Sequence, residues 1–147
     1  MRIIDIRNEP QFVGQYLELR NRHAEMLMTE PVSDAETREW LRTAHIEIKG
    51  IARDDELEGV ALLYLERGGE VAFFTRRPGT GTGSKLLPVI EEAARRQGLG
   101  SIWAWALKEN VIAQRAFEKN GYIPSGEESR TYRGVERRGI VYKKRIA

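Results

Sequence analysis

The sequence contains no cysteine and only two histidines, His23 and His45. Disulfide bonds and thiolate metal sites are therefore excluded, and we expect no bound metal. No apolar run approaches the length of about 20 residues that a membrane span needs, and the N-terminal residues lack the apolar core of a signal peptide. From these absences we expect a cytoplasmic protein without a membrane partner.

The sequence also has no large excess of positive or negative charge. The 24 Lys and Arg residues nearly balance the 22 Asp and Glu residues, which leaves a formal net charge of +2. Basic pairs such as Arg76-Arg77 are scattered among acids, which is typical of a solvated surface rather than of a nucleic-acid interface. A chain of 147 residues with 41% apolar residues can bury one core, so we predict a single domain over residues 1–147. The sequence leaves both a monomer and a homodimer open.

Glycine is concentrated at positions 79, 81 and 83 of the stretch EVAFFTRRPGTGTGSKLL, which runs from Glu70 to Leu87. The stretch predicts an apolar strand, a loop and the start of a helix. Because glycine has no Cβ, this backbone can approach a ligand closely, and the free N–H groups of a first helical turn attract anions. We therefore predict a phosphate or pyrophosphate site, with a flexible turn as the alternative.

This loop does not fit two common phosphate-binding motifs. A P-loop needs Lys directly after its last glycine and then Ser or Thr, but Ser84 follows Gly83 and Leu86 follows Lys85. A dinucleotide motif that starts at Gly79 would need a third glycine at position 84. A nucleoside triphosphate and NAD are thus both poor fits.

A second motif, NVIAQRAFEKNGY, lies between Asn110 and Tyr122. Together with the glycine loop it resembles the GNAT superfamily of acyl-CoA N-acyltransferases, which pairs a Q/R-x-x-G-x-G/A loop with a later N-x-x-A-x-x-h-h/Y-E-K-x-G-F/Y segment, where h is apolar. The residues that fit the later segment are Asn110, Ala113, Ala116, Phe117, Glu118, Lys119, Gly121 and Tyr122. Gly81 and Gly83 align with the loop glycines, and Pro78 stands where Gln or Arg is usual.

Periodicity and turn residues predict the element order β-α-α-β-β-β-α-β-α-β-β. The predicted strands are 2–7, 45–53, 57–67, 70–75, 102–107, 129–133 and 139–145. Four helices are predicted: a long one that is capped by Asn8 and ends near Met28, a short one that begins after Ser33, and two at 84–97 and 110–120. The resemblance covers this order over nearly the whole chain. It implies an α/β (α+β) fold with a mixed, mostly antiparallel sheet flanked by helices.

The two strands on either side of the third helix should be parallel, because a helix crossover connects them in a βαβ unit. The resemblance implies that this unit is the cofactor-binding core. It also implies that strands 70–75 and 102–107 splay apart near the loop, which would admit the pantetheine arm of a cofactor as an extra strand.

The resemblance implies acetyl-CoA as the co-substrate. Backbone N–H groups from Gly79 to Ser84 would hold its pyrophosphate, and Arg76 and Arg77 would add positive charge. Strand backbone around Phe73 would pair with pantetheine, and an N–H there would stabilise the oxyanion. The predicted cofactor-binding residues are Phe73, Phe74, Thr75, Arg76, Gly79, Thr80, Gly81, Thr82, Gly83, Ser84, Asn110, Ala113 and Phe117.

Phe117 departs from the family, in which many enzymes have a tyrosine at this position to protonate the departing sulfur. Phenylalanine has no proton to give, so either the thiolate leaves unaided or another group replaces the tyrosine. Tyr122 is the candidate acid, with core packing after the glycine turn as its alternative. Glu70 is the predicted base that takes a proton from the acceptor ammonium, with a surface glutamate as the alternative.

The segment Leu19–Leu41 faintly resembles GNAT enzymes that acetylate amino groups on nucleotide-linked sugars. His23, Met28 and Trp40 are therefore predicted to line the acceptor pocket, although Met and Trp at helical spacing also occur in cores. We expect an N-acetyltransferase that moves an acetyl group from acetyl-CoA to a primary amine of a small molecule by direct attack. The alternatives are a peptide or protein amine, a non-catalytic acyl-CoA-binding module, and a phosphate-binding protein without CoA.

Overall fold

The computed structural model describes residues 1–147, which form seven strands and five α-helices. The strands are β1 (Arg2–Asp5), β2 (Ile46–Arg53), β3 (Glu56–Tyr64), β4 (Glu70–Thr75), β5 (Ser101–Leu107), β6 (Ile123–Tyr132) and β7 (Val135–Arg145). The helices are α1 (Val13–Arg22), α2 (Ala24–Leu27), α3 (Asp34–Thr43), α4 (Thr82–Arg96) and α5 (Val111–Lys119). None of these helices has the length and apolar character that crossing a membrane would require.

All seven strands belong to one sheet, in the order β1-β2-β3-β4-β5-β7-β6. Every neighbouring pair is antiparallel except β4 and β5, which are parallel and connected through α4. The structure therefore confirms the mixed, mostly antiparallel sheet and its central βαβ unit.

The parallel strands β4 and β5 separate after two paired positions, Glu70 with Trp103 and Val71 with Ala104. From Ala72 to Thr75, β4 pairs only with β3 on its other side. A strand edge without a neighbour presents its backbone N–H and C=O groups to any extended ligand. The predicted splaying is confirmed, and it opens one edge of β4 on the side that leads into the glycine loop.

Two hydrophobic clusters lie on opposite faces of the sheet. One contains Leu86 and Ile90 of α4 with Phe117 of α5, and the other contains Tyr16 of α1 with Leu41 of α3. Successive strand side chains point to opposite faces, so the adjacent β4 phenylalanines at 73 and 74 pack against different clusters. The open edge of β4 is thus held between two packed layers.

The helical segment before β2 differs from the prediction of one long helix. Asn8 ends a 3-10 turn instead of capping a helix, and α1 begins only at Val13. The chain then breaks at His23, between α1 and α2, and Met28 ends α2 in the left-handed conformation with φ 58°. The break coincides with a tertiary contact, because the Nε2–H of His23 donates to the carbonyl oxygen of Thr75 at 2.8 Å.

The capping box predicted for α3 is present. The Oγ of Ser33 accepts from the N–H of Glu36, and the Glu36 carboxylate accepts from the N–H of Ser33, both at 3.1 Å. The closing hairpin is longer than predicted and turns at Arg133 and Gly134, both with positive φ as a type I′ turn requires. β6 is exposed along almost its whole length, and β7 has three charged residues after Val135, so the sequence pattern predicted only residues 129–133 and 139–145.

Candidate functional site

The loop after β4 presents a row of backbone amides that have no partner in the protein. None of the N–H groups of residues 79–84 donates to a protein acceptor. Gly79 and Gly81 have φ of 83° and 87°, in the left-handed region that glycine adopts without a steric penalty. The 15-residue helix α4 starts at once after Gly81, so its N-terminal dipole adds to the field of these amides. The loop is therefore arranged to bind an anion.

Gly83 is required by close packing rather than by its backbone conformation. A Cβ at this position would overlap the ring of Phe73, at less than the 3.0 Å that real Cβ contacts keep. The Phe73 ring in turn packs edge-on against Phe117, with 5.3 Å between the centroids. The absence of a side chain at Gly83 thus lets α4 begin directly against β4.

A groove runs between the glycine loop and α5. Six of its lining residues were predicted as cofactor contacts, namely Phe73, Thr75, Gly79, Gly81, Gly83 and Ser84. The other four, Ile112, Arg115, Ala116 and Lys119 of α5, were not predicted as contacts, although Ala116 and Lys119 belong to the second motif. Their three- and four-residue spacing places them on one helix face, which is the signal that could have identified them.

A second cavity, which we call the cleft, lies where β4 and β5 separate. Five predicted cofactor contacts line it, namely Phe73, Phe74, Asn110, Ala113 and Phe117. Since Phe73 lines both the groove and the cleft, the two spaces meet at its ring. Asn110 is also the N-cap of α5, because its Oδ1 accepts from the N–H of Ala113 at 3.2 Å.

Glu70 lines the cleft as a buried carboxylate, with 5% of the residue exposed. Its Oε1 accepts from Nη1 of Arg67 at 3.2 Å, and its Oε2 accepts from Nη2 of Arg130 at 3.0 Å. Each guanidinium also lies over an aromatic ring, Arg67 over Tyr64 and Arg130 over Trp105. The alternative of a solvated surface glutamate is therefore wrong for Glu70.

Tyr122 lies behind Phe117, with 5.1 Å between the ring centroids, and lines neither the cleft nor the groove. Its hydroxyl is buried without a hydrogen-bond partner. Burial, helped by the charge of Glu91, raises the pKa of this hydroxyl far above its usual range. The structure thus argues against the predicted role of Tyr122 as an acid, and core packing describes its position.

The two arginines before the loop do not line the groove. The Nε of Arg76 donates to the carbonyl oxygen of Leu57 at 2.8 Å, and its Nη2 donates to Oε1 of Gln15 at 3.1 Å. Arg77 is paired with two glutamates of β3, at 2.6 and 3.0 Å. Both side chains therefore tie the loop to β3 and α1, which argues against the predicted contact of Arg76 with a diphosphate.

Thr80 and Thr82 belong to the glycine loop, but neither lines the groove with its side chain. The Oγ1 of Thr80 donates to the carbonyl oxygen of Arg77 at 2.6 Å and thereby closes the loop on itself. Their contribution to an anion site is therefore confined to the backbone N–H groups.

Of the three residues predicted for the acceptor pocket, Trp40 alone lines a cavity. This space, which we call the outer cavity, adjoins the cleft and shares Arg20, Thr29, Tyr64 and Arg67 with it. His23 and Met28 line neither space. The side chain of His23 is held by its hydrogen bond to Thr75. Met28 lies in the left-handed turn, and only its neighbours Leu27 and Thr29 line the cleft.

Residues 15–122 match the family model of the Acetyltransferase (GNAT) family, which is more than half of the chain. The protein belongs to the GNAT acetyltransferase family. It is accordingly an acyl-CoA-dependent N-acyltransferase that uses acetyl-CoA. A search of curated proteins found no significant match.

Solved structures share the fold of this GNAT protein over almost its whole length. The ribosomal-protein-alanine N-acetyltransferase of Brucella melitensis has a TM-score of 0.85 at 16% identity, with 99% of both chains covered. The yncA protein of Salmonella typhimurium, solved with its cofactor acetyl-CoA, has a TM-score of 0.84 at 16% identity, with 99% of this chain and 94% of that one covered. An N-acetyltransferase of Staphylococcus aureus has a TM-score of 0.84 at 15% identity, with 99% and 98% covered.

Proposed function

We propose that this protein acetylates the primary amine of a small molecule that binds in the cleft. The observation that carries the proposal is the open edge of β4, which leads from the free amides of residues 79–84 to the cleft beside Glu70. Acetyl-CoA supplies the activated acyl group. The acceptor ammonium gives one proton to a base, and the free amine forms a C–N bond at the acetyl carbonyl. The C–S bond breaks, and CoA leaves as a thiolate that takes up the second proton lost by the nitrogen.

The residues that would hold acetyl-CoA follow from the unpaired backbone groups. The amides of residues 79–84 would bind the pyrophosphate, and the open edge of β4 from Ala72 to Thr75 would pair with pantetheine. A β4 amide at the cleft would also stabilise the oxyanion. The rings of Phe73 and Phe117 would exclude water from the reacting end of the site.

Glu70 is the proposed base, acting directly or through water. It is a carboxylate that lines the cleft and lies at the start of the open strand. The side chain of its partner Arg67 is more than half exposed, so an incoming acceptor can reach this guanidinium and displace it. No acid is proposed for the leaving group, because Phe117 has no proton and a thiolate is a weakly basic leaving group.

The hairpin of β6 and β7 favours a small acceptor over a polypeptide. Oη of Tyr132 donates to the carbonyl oxygen of Thr29 at 3.1 Å, and Arg133 pairs with Glu30 at 3.0 Å. These contacts join the tip of the hairpin to the segment that lines the cleft, so a polypeptide would have to displace them. The outer cavity beyond, with Trp40 on its wall, has room for an extended small molecule such as an amino-sugar nucleotide.

Arg115 and Lys119 offer a test of the groove as the site of the CoA phosphates. Both are exposed on α5, and neither has a carboxylate partner within 4.0 Å. We expect the double variant Arg115→Ala and Lys119→Ala to raise the Kd for CoA about tenfold, and more at low ionic strength. Calorimetry at two salt concentrations measures this change, with the exposed Arg96→Ala as the control. An unchanged Kd would place the phosphates elsewhere.

The function itself is tested by thiol release from acetyl-CoA with a panel of amines. The panel contains free amino acids, amino sugars, nucleotide-linked amino sugars and peptides with a free N-terminus. We expect turnover with small amines and little with peptides. Turnover with peptides alone would contradict the proposed acceptor class, and saturable CoA binding without turnover of any amine would contradict the proposed function as a whole.

A further inference from the structure

The ionised side chains of the cleft leave an excess of two positive charges. Three arginines line it, Arg20, Arg67 and Arg130, against the single carboxylate of Glu70. An acceptor whose only charge is an ammonium would be repelled by this excess. In a half-enclosed, aromatic-walled site such repulsion is stronger than in water, because the local dielectric constant is lower.

Arg20 is the arginine of this group that has no acid to neutralise it. Arg67 and Arg130 both pair with Glu70, whereas no carboxylate lies within 4.0 Å of Arg20. Its Nη1 donates to the backbone carbonyl oxygen of Glu30 at 3.1 Å, which orients the guanidinium without neutralising it. Arg20 is half-buried and lines both the cleft and the outer cavity, so it lies where the two spaces join.

The walls around Arg20 supply no compensating negative charge. Thr29 lines both the cleft and the outer cavity, and Tyr16 lines the outer cavity. Burial raises the pKa of Tyr16, and the nearby charge of Arg20 acts in the opposite direction, so this hydroxyl stays neutral. The positive charge of Arg20 is therefore free to attract an anion.

We propose that the acceptor carries, besides its amine, a carboxylate or phosphate group that Arg20 binds at the junction of the two cavities. The inference rests on the proposed function and names the chemical class of its substrate. The phosphates of CoA do not account for this charge, because the free amides and the groove cations lie at the other end of the open strand. The acidic residues of the outer cavity do not neutralise it either, since Glu36 is held in the capping box and Glu66 is exposed beside His45.

Matched pairs of acceptors test this proposal by thiol release. The pairs are free α-amino acids with their amides, and glucosamine 6-phosphate with glucosamine, so that one arm tests a carboxylate and the other a phosphate. We expect kcat/KM to favour the anionic member of at least one pair about 30-fold, since hydrogen bonds to a charged group are strong. Arg20→Gln should abolish that preference by raising KM for the anionic acceptor, and it should leave KM for acetyl-CoA unchanged. Arg20→Lys keeps the positive charge and should restore part of the preference.

Arg22→Gln is the matched control, because Arg22 lies on the same helix and is exposed in a pair with Glu18 at 2.7 Å. It should leave the preference intact. If no amine is turned over, calorimetry of the same pairs in the presence of CoA replaces the assay. The proposal is supported if the wild-type protein binds the anionic member more tightly and Arg20→Gln loses this difference. The proposal is overturned if both members of every pair are used or bound equally, or if Arg20→Gln affects both members equally. Neither outcome would contradict the acetyltransferase function.

Discussion

Gly83→Ala is expected to weaken CoA binding about 100-fold, or by roughly 2.7 kcal/mol. The added Cβ would overlap the ring of Phe73, which lines both the groove and the cleft. Because Phe73 packs against Phe117, the ring cannot move aside without disturbing the wall where the two spaces meet. Calorimetry with CoA measures the effect, and the melting temperature shows whether the domain is still folded.

A second variant and a control separate a local effect from loss of the fold. Gly81→Ala strains an exposed loop position with φ 87° but meets no atom within 4 Å, so it should weaken CoA binding about tenfold in a folded protein. Gly14→Ala also meets no atom within 4 Å, lies in α1 without positive φ, and should leave the affinity for CoA unchanged. Wild-type affinity in both Gly83→Ala and Gly81→Ala would show that this loop does not hold the diphosphate.

Glu70→Gln is expected to lower kcat about 100-fold or more, because the variant keeps the shape of the side chain but cannot accept the ammonium proton. The introduced amide would still accept one of the two hydrogen bonds from Arg67 and Arg130, so the arginines should stay close to their positions. KM for acetyl-CoA should be unchanged, since Glu70 lines the cleft and not the groove. Steady-state kinetics with the best amine of the panel provide the measurement.

Glu91→Gln is the matched control for this experiment. Glu91 is also a buried carboxylate in an ion pair, with Lys144 at 2.6 Å, but it lies on α4 and lines neither cavity. Loss of this ion pair should lower the free energy of unfolding and leave kcat unchanged. If Glu70→Gln raises only KM for the acceptor and leaves kcat at the wild-type value, Glu70 holds the two arginines in place and is not the base.

The parts of the fold that could be predicted are those that depend on residues close together in the sequence. The strand, glycine loop and helix from Glu70 onward follow from apolar alternation, the position of glycine and the start of a helical pattern. The capping box at Ser33 is likewise a contact between residues three apart. The parallel pairing of β4 and β5 followed as well, because one helix connects them.

The side-chain environment of the site could not be predicted in the same way. The sequence places Arg76 beside the glycine loop, but its guanidinium bonds to Gln15, 61 residues away. Glu70 could have been a surface residue, but it is buried and bonded to Arg130, 60 residues away. His23 was a candidate for the acceptor pocket, and a bond to Thr75 holds it outside. Each of these contacts joins distant segments, so no local pattern records it.

By itself, the sequence determined the family, the order of the elements and a loop whose amides are free for an anion, because backbone conformation and the start of a helix depend on nearby residues. Only the tertiary structure decided that Tyr122 is sealed in the core, that cations of α5 face the loop, and that Arg20 lies unneutralised at the junction of two cavities. Burial and charge balance depend on which distant segments meet, and that is settled when the two layers of helices pack on the sheet.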